Sequence, residues 1–341
     1  MCGICGLYGF SDKALLHSMT NFLSHRGPDD SGFYIDDKIS LGFRRLSIID
    51  LKSGNQPVRN ESGTAWVVFN GEIYNYQELR KTLESKGHKF YTNSDTECII
   101  HAYEEYGKDC VIYLRGMFAF AIWDETKKQI FLARDRIGIK PLYYAWNEET
   151  LVFASEIKSI LLFPGIKREI NKKALYYYLT FRFNPLHDTL FQGVSKLPPG
   201  HFLIYDGKTI TLSKYWDLEF QPIYHTEEQQ ITMVKKSFLE SVKSHMMSDV
   251  PLGAYLSGGI DSSAVVAAMR GFSDESVRTF SVGFPEKEHN ELPYAKLISE
   301  KFGTDHHEFI IEPKSFEYIP NIIWQFDEPI ADPAAIPTFI L

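Results

Sequence analysis

Short apolar and alternating runs fill residues 1–218 and predict a strand-rich first domain. These runs read GICGLYGF, ISLGFRRL, AWVVFNG, GMFAFAIWD, QIFLARD, LYYAW and TLVFASE. Two helical patterns interrupt them, YNYQELRKTLESKG and TECIIHAYEEYG, and we expect Gly87 and Gly107 to cap these helices. Strands and helices in this irregular order indicate sheets covered by helices rather than a strict parallel series.

The pattern changes between residues 218 and 226, where we expect a domain boundary. Thr226 and Gln229 predict a capping box at the start of a helix. The apolar residues that follow at helical spacing, and that predict one buried face, are Ile231, Val234, Phe238, Val242 and Met246. Strand-like LGAYL, RTFSVGF and DHHEFII then alternate with helix-like SAVVAAMRG and LPYAKLISEKFG. This alternation predicts a parallel α/β sheet with helices on both faces over residues 226–341.

Composition and charge narrow the class of protein. A chain of 341 residues suggests about two domains, and 44% hydrophobic with 23% charged residues is typical of a soluble globular protein. The net charge of -8 argues against nucleic acid as the main partner, because phosphates require a basic surface. No apolar run approaches the ~20 residues that span a bilayer, and no signal peptide is evident. We therefore expect no membrane contact, a cytoplasmic location and reduced thiols.

The segment LGAYLSGGIDSSAVVAAM combines features of a phosphate-binding loop. An apolar strand leads into Ser257, Gly258 and Gly259, and we expect a helix to begin between Asp261 and Ser263. The glycines allow a tight turn whose N–H groups point into one concavity, and the helix N-terminus adds partial positive charge. Asp261 suits such a site only if a divalent cation lies between it and the phosphates. An ordinary strand-to-helix turn is the alternative interpretation.

Cys2 follows Met1 directly, and enzymes that remove an initiator methionine act when the second residue is small. Removal would leave a thiol and a free α-amine on one residue, so that the amine could take the thiol proton. The sequence does not determine whether Met1 is removed. Cys2 and Cys5 also form a C-x-x-C, but no second pair follows and strand alternation turns the side chains apart. We expect Cys5 to be a small core residue rather than a metal or redox partner.

Three further segments supply groups that a cysteine nucleophile needs. In NGEIYN, Asn70 and the N–H of Gly71 can face a developing oxyanion, although Asn-Gly is also a common turn. In GFRRLSIID, strand alternation leaves one arginine for a substrate carboxylate and sends the other to the surface. In NSDTE, we expect Ser94 and Glu97 to form a capping box. Asp95 then either stabilises the helix dipole or binds a substrate ammonium.

These segments resemble the class II glutamine amidotransferases, whose motifs occur here in the family's order. The matching stretches are MCGICG, HRGPD, RLSIID, NGEIYN, NSDTE, GMFAFAIWD and RDRIGIKPLYY. The SGGIDSS loop resembles that of the ATP pyrophosphatases, which cleave ATP between the α and β phosphates. With both in one chain, the sequence is similar to the glutamine-hydrolysing asparagine synthetases. This resemblance implies an N-terminal Ntn-hydrolase αββα sandwich (residues 1–218) and an incomplete ATP-pyrophosphatase α/β parallel-sheet domain (residues 226–341).

The resemblance also implies roles for individual residues. Cys2 would be the nucleophile and its α-amine the base, with Asn70 and Gly71 as the oxyanion hole. Arg45 would hold the α-carboxylate of glutamine and Asp95 its α-amine. The rest of the glutamine pocket would be Leu46, Ile48, Ile49 and Glu72. In the second domain, the resemblance implies that ATP and pyrophosphate bind at Leu256, Ser257, Gly258, Gly259, Asp261, Ser262, Ser263 and Val282. Asp261 would bind Mg²⁺ through the ATP phosphates.

The implied reaction is ATP-dependent synthesis of asparagine from aspartate, with ammonia released from glutamine at Cys2. Ammonia would cross an apolar interdomain channel to an aspartyl-AMP intermediate, and AMP and pyrophosphate would be released. ATP and Mg²⁺ are the implied cofactors, glutamine and aspartate the other small-molecule partners, and a homodimer stays open. Family members continue to a second acidic ATP loop and a lysine, whereas this chain stops at DPAAIPTFIL, so we expect a truncated synthetase domain.

Other interpretations stay open. The acceptor could be a different carboxylate, on a peptide or a sugar acid, because most acceptor-contacting residues are absent. The chain could also be a non-catalytic glutamine or nucleotide sensor, although a sensor need not retain a nucleophile and oxyanion donors together. We expect His306 and His307 to be core or surface residues, since adjacent strand positions point apart. The run LYYYL at 175–179 is expected to pack within a helix.

Overall fold

The chain forms two compact units, Met1–Glu219 and Phe220–Leu341. The computed structural model describes residues 1–147, 149–222, 224–286, 290–311 and 313–340. Leu341, the last residue of the expected second domain, lies outside the described residues. Within those ranges, no helix combines the length and the apolar character that crossing a bilayer requires.

Two six-stranded sheets form the first unit, and neighbouring strands in them are antiparallel. The strands are β1 (Gly3–Tyr8), β2 (Asp30–Ile35), β3 (Ile39–Arg45), β4 (Val58–Arg59), β5 (Ala65–Ile73), β6 (Gly116–Asp124), β7 (Gln129–Arg134), β8 (Tyr143–Trp146), β9 (Leu151–Ala154), β10 (Val194–Lys196), β11 (His201–Tyr205) and β12 (Ile210–Lys214). Their orders are β10-β8-β9-β1-β3-β2 and β12-β11-β7-β6-β5-β4.

Helices cover the outer faces of both sheets. They are α1 (Lys13–Asn21), α2 (Tyr76–Ser85), α3 (Asp95–Tyr106), α4 (Cys110–Tyr113), α5 (Ile157–Ile160) and α6 (Lys172–Phe181). Strand alternation places Ala121 of β6 in the core between the sheets and Phe120 in the core that includes α3. On the other sheet, Ile4 faces the central core and Cys5 packs in the cluster that includes α1 and α5. The expected αββα sandwich is confirmed, and Cys5 is the small core residue expected.

The seven strands predicted from apolar runs are present as β1, β3 and β5–β9, and the two predicted helices as α2 and α3. Gly87 and Gly107 follow these helices with φ of 104° and 59°, as expected of C-terminal caps. The expected packing of LYYYL is wrong on one side of α6. Tyr176 and Leu179 there are 66% and 74% exposed.

The capping box expected at α3 is wrong in its second half. Ser94 caps the helix by accepting from the N–H of Thr96 over 3.2 Å. Glu97 does not reach back to Ser94 but accepts from the N–H groups of Tyr91 and Thr92, over 2.8 and 2.7 Å. The buried Glu97 therefore holds the segment before the helix.

The second unit contains a parallel sheet of order β13-β14-β15, as expected. Its elements are α7 (Glu227–His245), β13 (Gly253–Tyr255), α8 (Ile260–Phe272), β14 (Arg278–Gly283), α9 (Leu292–Phe302), β15 (Asp305–Ile310), α10 (Ile319–Phe326) and α11 (Ala335–Ile340). Helix α8 begins at Ile260, one residue earlier than expected. On β15, His306 is half-buried and bonded to Thr279, whereas His307 is exposed and stacks on Phe280, which confirms their structural interpretation.

Helix α7 carries the expected capping box, formed by Thr226 and Gln229. Its expected apolar face is buried only near the C-terminal end, where Val242 is 8% exposed. Ile231 and Val234 are 60% and 69% exposed, so the prediction of a continuous buried face is wrong for the first half of the helix. Helical spacing alone cannot tell which part of an apolar face another element covers.

Candidate functional site

Cys2 precedes β1 and lines a pocket of about 200 Å³. Pairing of Gly3 with Arg44 places Cys2 beside the end of β3, and β5 and the N-terminus of α3 complete the walls. The lining residues are Met1, Cys2, Phe43, Arg45, Leu46, Ile48, Ile49, Gly54, Gln56, Phe69, Asn70, Gly71, Glu72, Ser94, Asp95, Thr96, Met117 and Lys140. All residues expected as nucleophile, oxyanion hole and glutamine pocket therefore lie in one pocket.

The thiol of Cys2 lies against the backbone of Leu46. The Leu46 N–H donates to Sγ over 3.4 Å, and Sγ lies 3.6 Å from the Leu46 carbonyl oxygen. Burial raises the pKa of the Cys2 thiol, while the Leu46 N–H and the nearby α-amine act in the opposite direction. The resting group is a thiol, so a base is needed to make it a nucleophile.

The free α-amine in this structure belongs to Met1 and borders the same pocket. Burial lowers the pKa of this amine to about 6. The charge of Cys2 acts to raise this pKa, whereas the charge of Arg26 acts to lower it. An amine with such a pKa is neutral at pH 7 and can accept a proton. Removal of Met1 would place the amine on Cys2 itself.

Arg26, in the HRGPD stretch, fixes the backbone of Cys2. Its Nε donates to the Cys2 carbonyl oxygen, and its Nη1 to Glu156 Oε1, both over 2.9 Å. Although burial opposes it, hydrogen bonds from His25 and Lys158 lower the pKa of Glu156 to about 2. An ionised carboxylate therefore holds Arg26, and Arg26 holds the main chain at the thiol.

Asn70, on β5, carries a buried amide without a hydrogen-bond partner among the described residues. The residue is 1% exposed, and this holds for both Nδ2 and Oδ1. An unpaired buried polar group costs about 1–3 kcal/mol and calls for an explanation such as ligand binding. A Cβ at Gly71 would collide with the backbones of Met117 and Phe118, so only glycine fits where β6 approaches β5.

Arg45 points into the pocket, and Arg44 does not. Arg45 is 5% exposed and donates to the Asp50 carbonyl oxygen and to Asn55 Oδ1, both over 2.5 Å. Arg44 is half-buried and donates to the Gly27 carbonyl oxygen over 2.9 Å. The two arginines therefore lie apart as strand alternation predicts, but the expected solvated position of Arg44 is wrong.

Asp95 begins α3 inside the pocket. Its Oδ2 accepts from the Ile73 N–H over 2.9 Å, and its Oδ1 from Ser94 Oγ over 3.3 Å. Burial raises the pKa of Asp95 to about 7. The hydrogen bond from Ile73 acts to lower this pKa, whereas the charge of Glu72 acts to raise it. A cation entering the pocket would favour the ionised carboxylate and lower that pKa.

The SGGIDSS loop joins β13 to α8 in the second unit. The Ser257 N–H and Oγ both contact Ser262 Oγ, over 3.2 and 3.0 Å, and the Gly259 N–H donates to Ser257 Oγ over 3.3 Å. Gly258 has a φ of 81°, and a Cβ there would lie 2.5 Å from that of Tyr294 on α9. The loop therefore needs glycine, and its serines bond to each other in this structure.

The other residues expected to bind nucleotide lie next to this loop in the chain, on α8 and on β14. Asp261 is exposed in the first turn of α8, and Ser263 is half-buried with an Oγ that has no partner among the described residues. Leu256 is 1% exposed and donates its N–H to the Phe280 carbonyl oxygen over 2.9 Å. Val282 is half-buried, further along β14.

Two sequence families match the chain, one in each unit. The family described as a glutamine amidotransferase domain matches residues 1–216, and the family described as asparagine synthase matches residues 233–341. A Methanocaldococcus jannaschii protein, provisionally named asparagine synthetase [glutamine-hydrolyzing] 2, is 39% identical over 99% of this chain and 70% of its own length. The chain belongs to the glutamine-hydrolysing asparagine synthetase family.

Other relatives of this asparagine synthetase family member are longer. Asparagine synthetase [glutamine-hydrolyzing] 1 of Bacillus subtilis is 41% identical over 100% of this chain and 55% of its own length. Amidase chry2 of Gibberella zeae is 35% identical over 93% of this chain and 50% of its own length. The chain spans about half the length of these two relatives. A solved structure of B. subtilis glutamine phosphoribosylpyrophosphate amidotransferase matches 90% of this chain and 65% of its own chain, with a TM-score of 0.48 and 17% identity. This similarity is too distant to bear on function.

Lys140 is a pocket residue of this asparagine synthetase homologue that the sequence analysis missed. Its side chain is 6% exposed, and burial lowers its pKa, although the charge of Glu72 acts against this. Cys2 also interacts with the Lys140 charge. The lysine lies between Ile139 and Pro141 in the RDRIGIKPLYY stretch, where nothing local distinguishes it from a surface lysine, since Ile139 is itself 49% exposed.

Proposed function

We propose that the first unit hydrolyses glutamine to glutamate and ammonia at Cys2. The observation that carries this proposal is the position of the Cys2 thiol and the unpaired Asn70 amide in the same small pocket. Acyl transfer needs a nucleophile, a base and donors aimed at the oxyanion, and this pocket offers all three. A sensor would not need that combination.

In the proposed reaction, Cys2 Sγ attacks the side-chain carbonyl carbon of glutamine. The α-amine of Cys2, which removal of Met1 would free, accepts the thiol proton. Asn70 Nδ2 and the Gly71 N–H donate to the oxyanion. The α-amine then returns the proton to the leaving nitrogen, so ammonia departs and a glutamyl thioester stays on Cys2. Water, deprotonated by the same amine, cleaves the thioester, which releases glutamate and restores the thiol.

Each charged group of glutamine would bind a pocket residue of opposite charge. A guanidinium has five N–H donors, so the bonds of Arg45 to Asp50 and Asn55 leave donors for the α-carboxylate. The buried Asp95 would bind the α-ammonium, which stabilises its ionised form. The remaining walls for glutamine would be Leu46, Ile48, Ile49 and Glu72.

We further propose that the second unit binds ATP with Mg²⁺ and activates aspartate as aspartyl-AMP. The donor set fits: the hydroxyls of Ser257, Ser262 and Ser263 and the N–H groups at Gly258 and Gly259 suit pyrophosphate. Asp261 would hold Mg²⁺, which neutralises phosphate charge when bound, and the side chains beside adenosine would be Leu256 and Val282. A side-chain carboxylate oxygen of aspartate attacks the α-phosphate of ATP and displaces pyrophosphate. Ammonia then attacks the activated side-chain carbonyl carbon and displaces AMP to give asparagine. A cytoplasmic location is part of this proposal.

Another carboxylate acceptor is the second candidate, because a relative with 35% identity carries the different name amidase. Pyrophosphate release from Mg-ATP, with ammonium as nitrogen source, separates the two. Release that depends on aspartate supports asparagine synthesis, and release that depends only on a peptide or sugar acid supports the alternative. No release with any carboxylate, from protein that hydrolyses glutamine, would contradict the synthetase half.

A further inference from the structure

Four potential metal ligands outside the glutamine pocket come together from three segments of the first unit. Glu61 lies in the turn between β4 and β5, His88 follows α2, and His101 and Glu104 lie one turn apart on α3. One ligand atom from each lies within 4.8 Å of the other three. No sequence spacing joins these segments, so only folding creates the cluster.

The separations within the cluster are close to those between the ligands of one ion. His101 Nδ1 lies 3.3 Å from Glu61 Oε2 and 3.2 Å from Glu104 Oε2. His88 Nδ1 lies 3.4 Å from Glu61 Oε1 and 3.8 Å from Glu104 Oε2. Tetrahedral bonds of about 2.0–2.2 Å place neighbouring ligand atoms about 3.3–3.6 Å apart.

A buried carboxylate orients His101. Its Nε2 lies 3.2 Å from Glu97 Oε1, and both side chains are 0% exposed. In the neutral imidazole whose Nε2–H donates a hydrogen bond to Glu97, the lone pair of Nδ1 faces Glu61 and Glu104. Histidines that bind metals typically make such a second hydrogen bond, which sets both tautomer and ring orientation.

Both carboxylates of the cluster are also held by protein donors. Asn60 Nδ2 donates to Glu104 Oε1 over 2.7 Å, and the Lys89 N–H donates to Glu61 Oε1 over 2.8 Å. The Oε2 atoms of both residues are the ones that face His101. Ligands held in place in this way lose less conformational freedom when an ion binds.

Negative charge exceeds positive charge around the two imidazoles. The ammonium of Lys86 pairs with Glu105 over 2.6 Å and balances one of the negative charges. The carboxylates within ion-pair distance of either histidine are Glu61, Glu97, Glu104 and Glu105. A dication would balance this excess.

We propose that Glu61, His88, His101 and Glu104 bind one Zn²⁺ ion as a structural site. Two imidazoles and two carboxylates complete a four-coordinate site, which leaves no open position for chemistry. The ion would join the β4–β5 turn, the segment after α2 and helix α3. The site is independent of the proposed glutaminase activity, because none of its ligands lines the glutamine pocket.

A proton is the competing occupant. Although burial lowers it, hydrogen bonds from Glu104 and Glu97 raise the pKa of His101 to about 9 in the absence of metal. Zinc would have to displace that proton, as metal binding at histidine generally does. The competition can be measured directly.

The test is the zinc content of the full chain, purified without chelator from cells grown with zinc, by elemental mass spectrometry. We expect about one zinc per chain in the wild type, and a tetrahedral visible spectrum when Co²⁺ replaces it. His88→Gln and Glu104→Gln should each reduce zinc to about one tenth or less. His225→Gln, an exposed histidine outside the cluster, is the matched control.

Two results would overturn the proposal. One is wild-type zinc of about 0.1 per chain or less with no Co²⁺ spectrum, which would assign the cluster to protonated His101. The other is equal zinc in the wild type and in both cluster variants. Unchanged zinc in Cys2→Ala excludes the thiol as the source, and glutamate release by the cluster variants shows that they are folded.

Discussion

The two units differ in how far they bury their own apolar side chains. In the first, β6 is buried over residues 118–124, between two core clusters. In the second, Phe309 and Ile310 of β15 are 40% and 53% exposed, and the clusters around Val242 and Leu256 are small. The pocket around Cys2 therefore rests on its own core, whereas the SGGIDSS loop rests on a sheet with uncovered apolar side chains.

The largest effect should separate the chemistry of the two units. Cys2→Ala removes the proposed nucleophile, so glutamate release should fall by roughly 10⁴–10⁶-fold. Ammonium-dependent pyrophosphate release should stay unchanged, because the second unit does not use the thiol. Cys110→Ala, another buried cysteine of the first unit, is the control and should hydrolyse glutamine normally. Use of glutamine but not ammonium by Cys2→Ala would contradict the assigned roles.

The difference in packing can be tested by unfolding in urea. Phe120→Ala in the first core should cost about 3–5 kcal/mol, because it leaves a large cavity. Val266→Ala beside α9 should cost less, about 1–2 kcal/mol, because fewer atoms are removed and two of its neighbours, Ala254 and Ile298, are only partly buried. We expect the second unit to unfold first, at lower urea. A single transition shifted equally by both substitutions would break the comparison.

Asn70→Ala should lower kcat for glutamine hydrolysis by about 10²–10³-fold with little change in KM, because the oxyanion exists only in the transition state. Asn21→Ala, on the surface at the end of α1, is the matched control. An equal rise in KM with unchanged kcat would instead assign Asn70 to ground-state binding.

The smallest effect concerns pH. Because the pKa of Asp95 is raised to about 7, the empty pocket holds the carboxyl protonated below that pH. Binding of the glutamine ammonium requires the carboxylate, so KM should rise as pH falls, by up to about tenfold per unit below pH 7. Asp95→Asn should raise KM and remove this dependence. A pH profile of KM that is the same in the variant would show that another group titrates.

Much of the first unit could be predicted because its central strands are buried on both faces. The continuous apolar run of β6 is a direct consequence of that position. The β11–β12 hairpin was missed, although Asp206-Gly207 is a strong turn signal between two apolar runs. The exposed side of α6 was misjudged, because tyrosine and leucine at helical spacing look alike whether covered or not.

The pocket was predicted better than its supporting contacts. Cys2, Asn70 and Asp95 stand in short motifs, so the sequence could indicate that they belong to one pocket. Arg26 and Lys140 act from segments far along the chain, through a backbone carbonyl and through buried charge. Glu97 looked like a capping residue, because its partners Tyr91 and Thr92 are set by the fold and not by helical spacing.

The central claim, that Cys2 is the glutaminase nucleophile, is tested most directly by covalent trapping. The full chain would be treated with a glutamine analogue that carries an electrophilic ketone in place of the side-chain amide, and then mapped by peptide mass spectrometry. The account predicts one adduct per chain, on Cys2, prevented by excess glutamine, with none on the buried Cys5, Cys98 and Cys110. Glutamate release without any adduct on Cys2, or an adduct on another residue that abolishes that release, would contradict it.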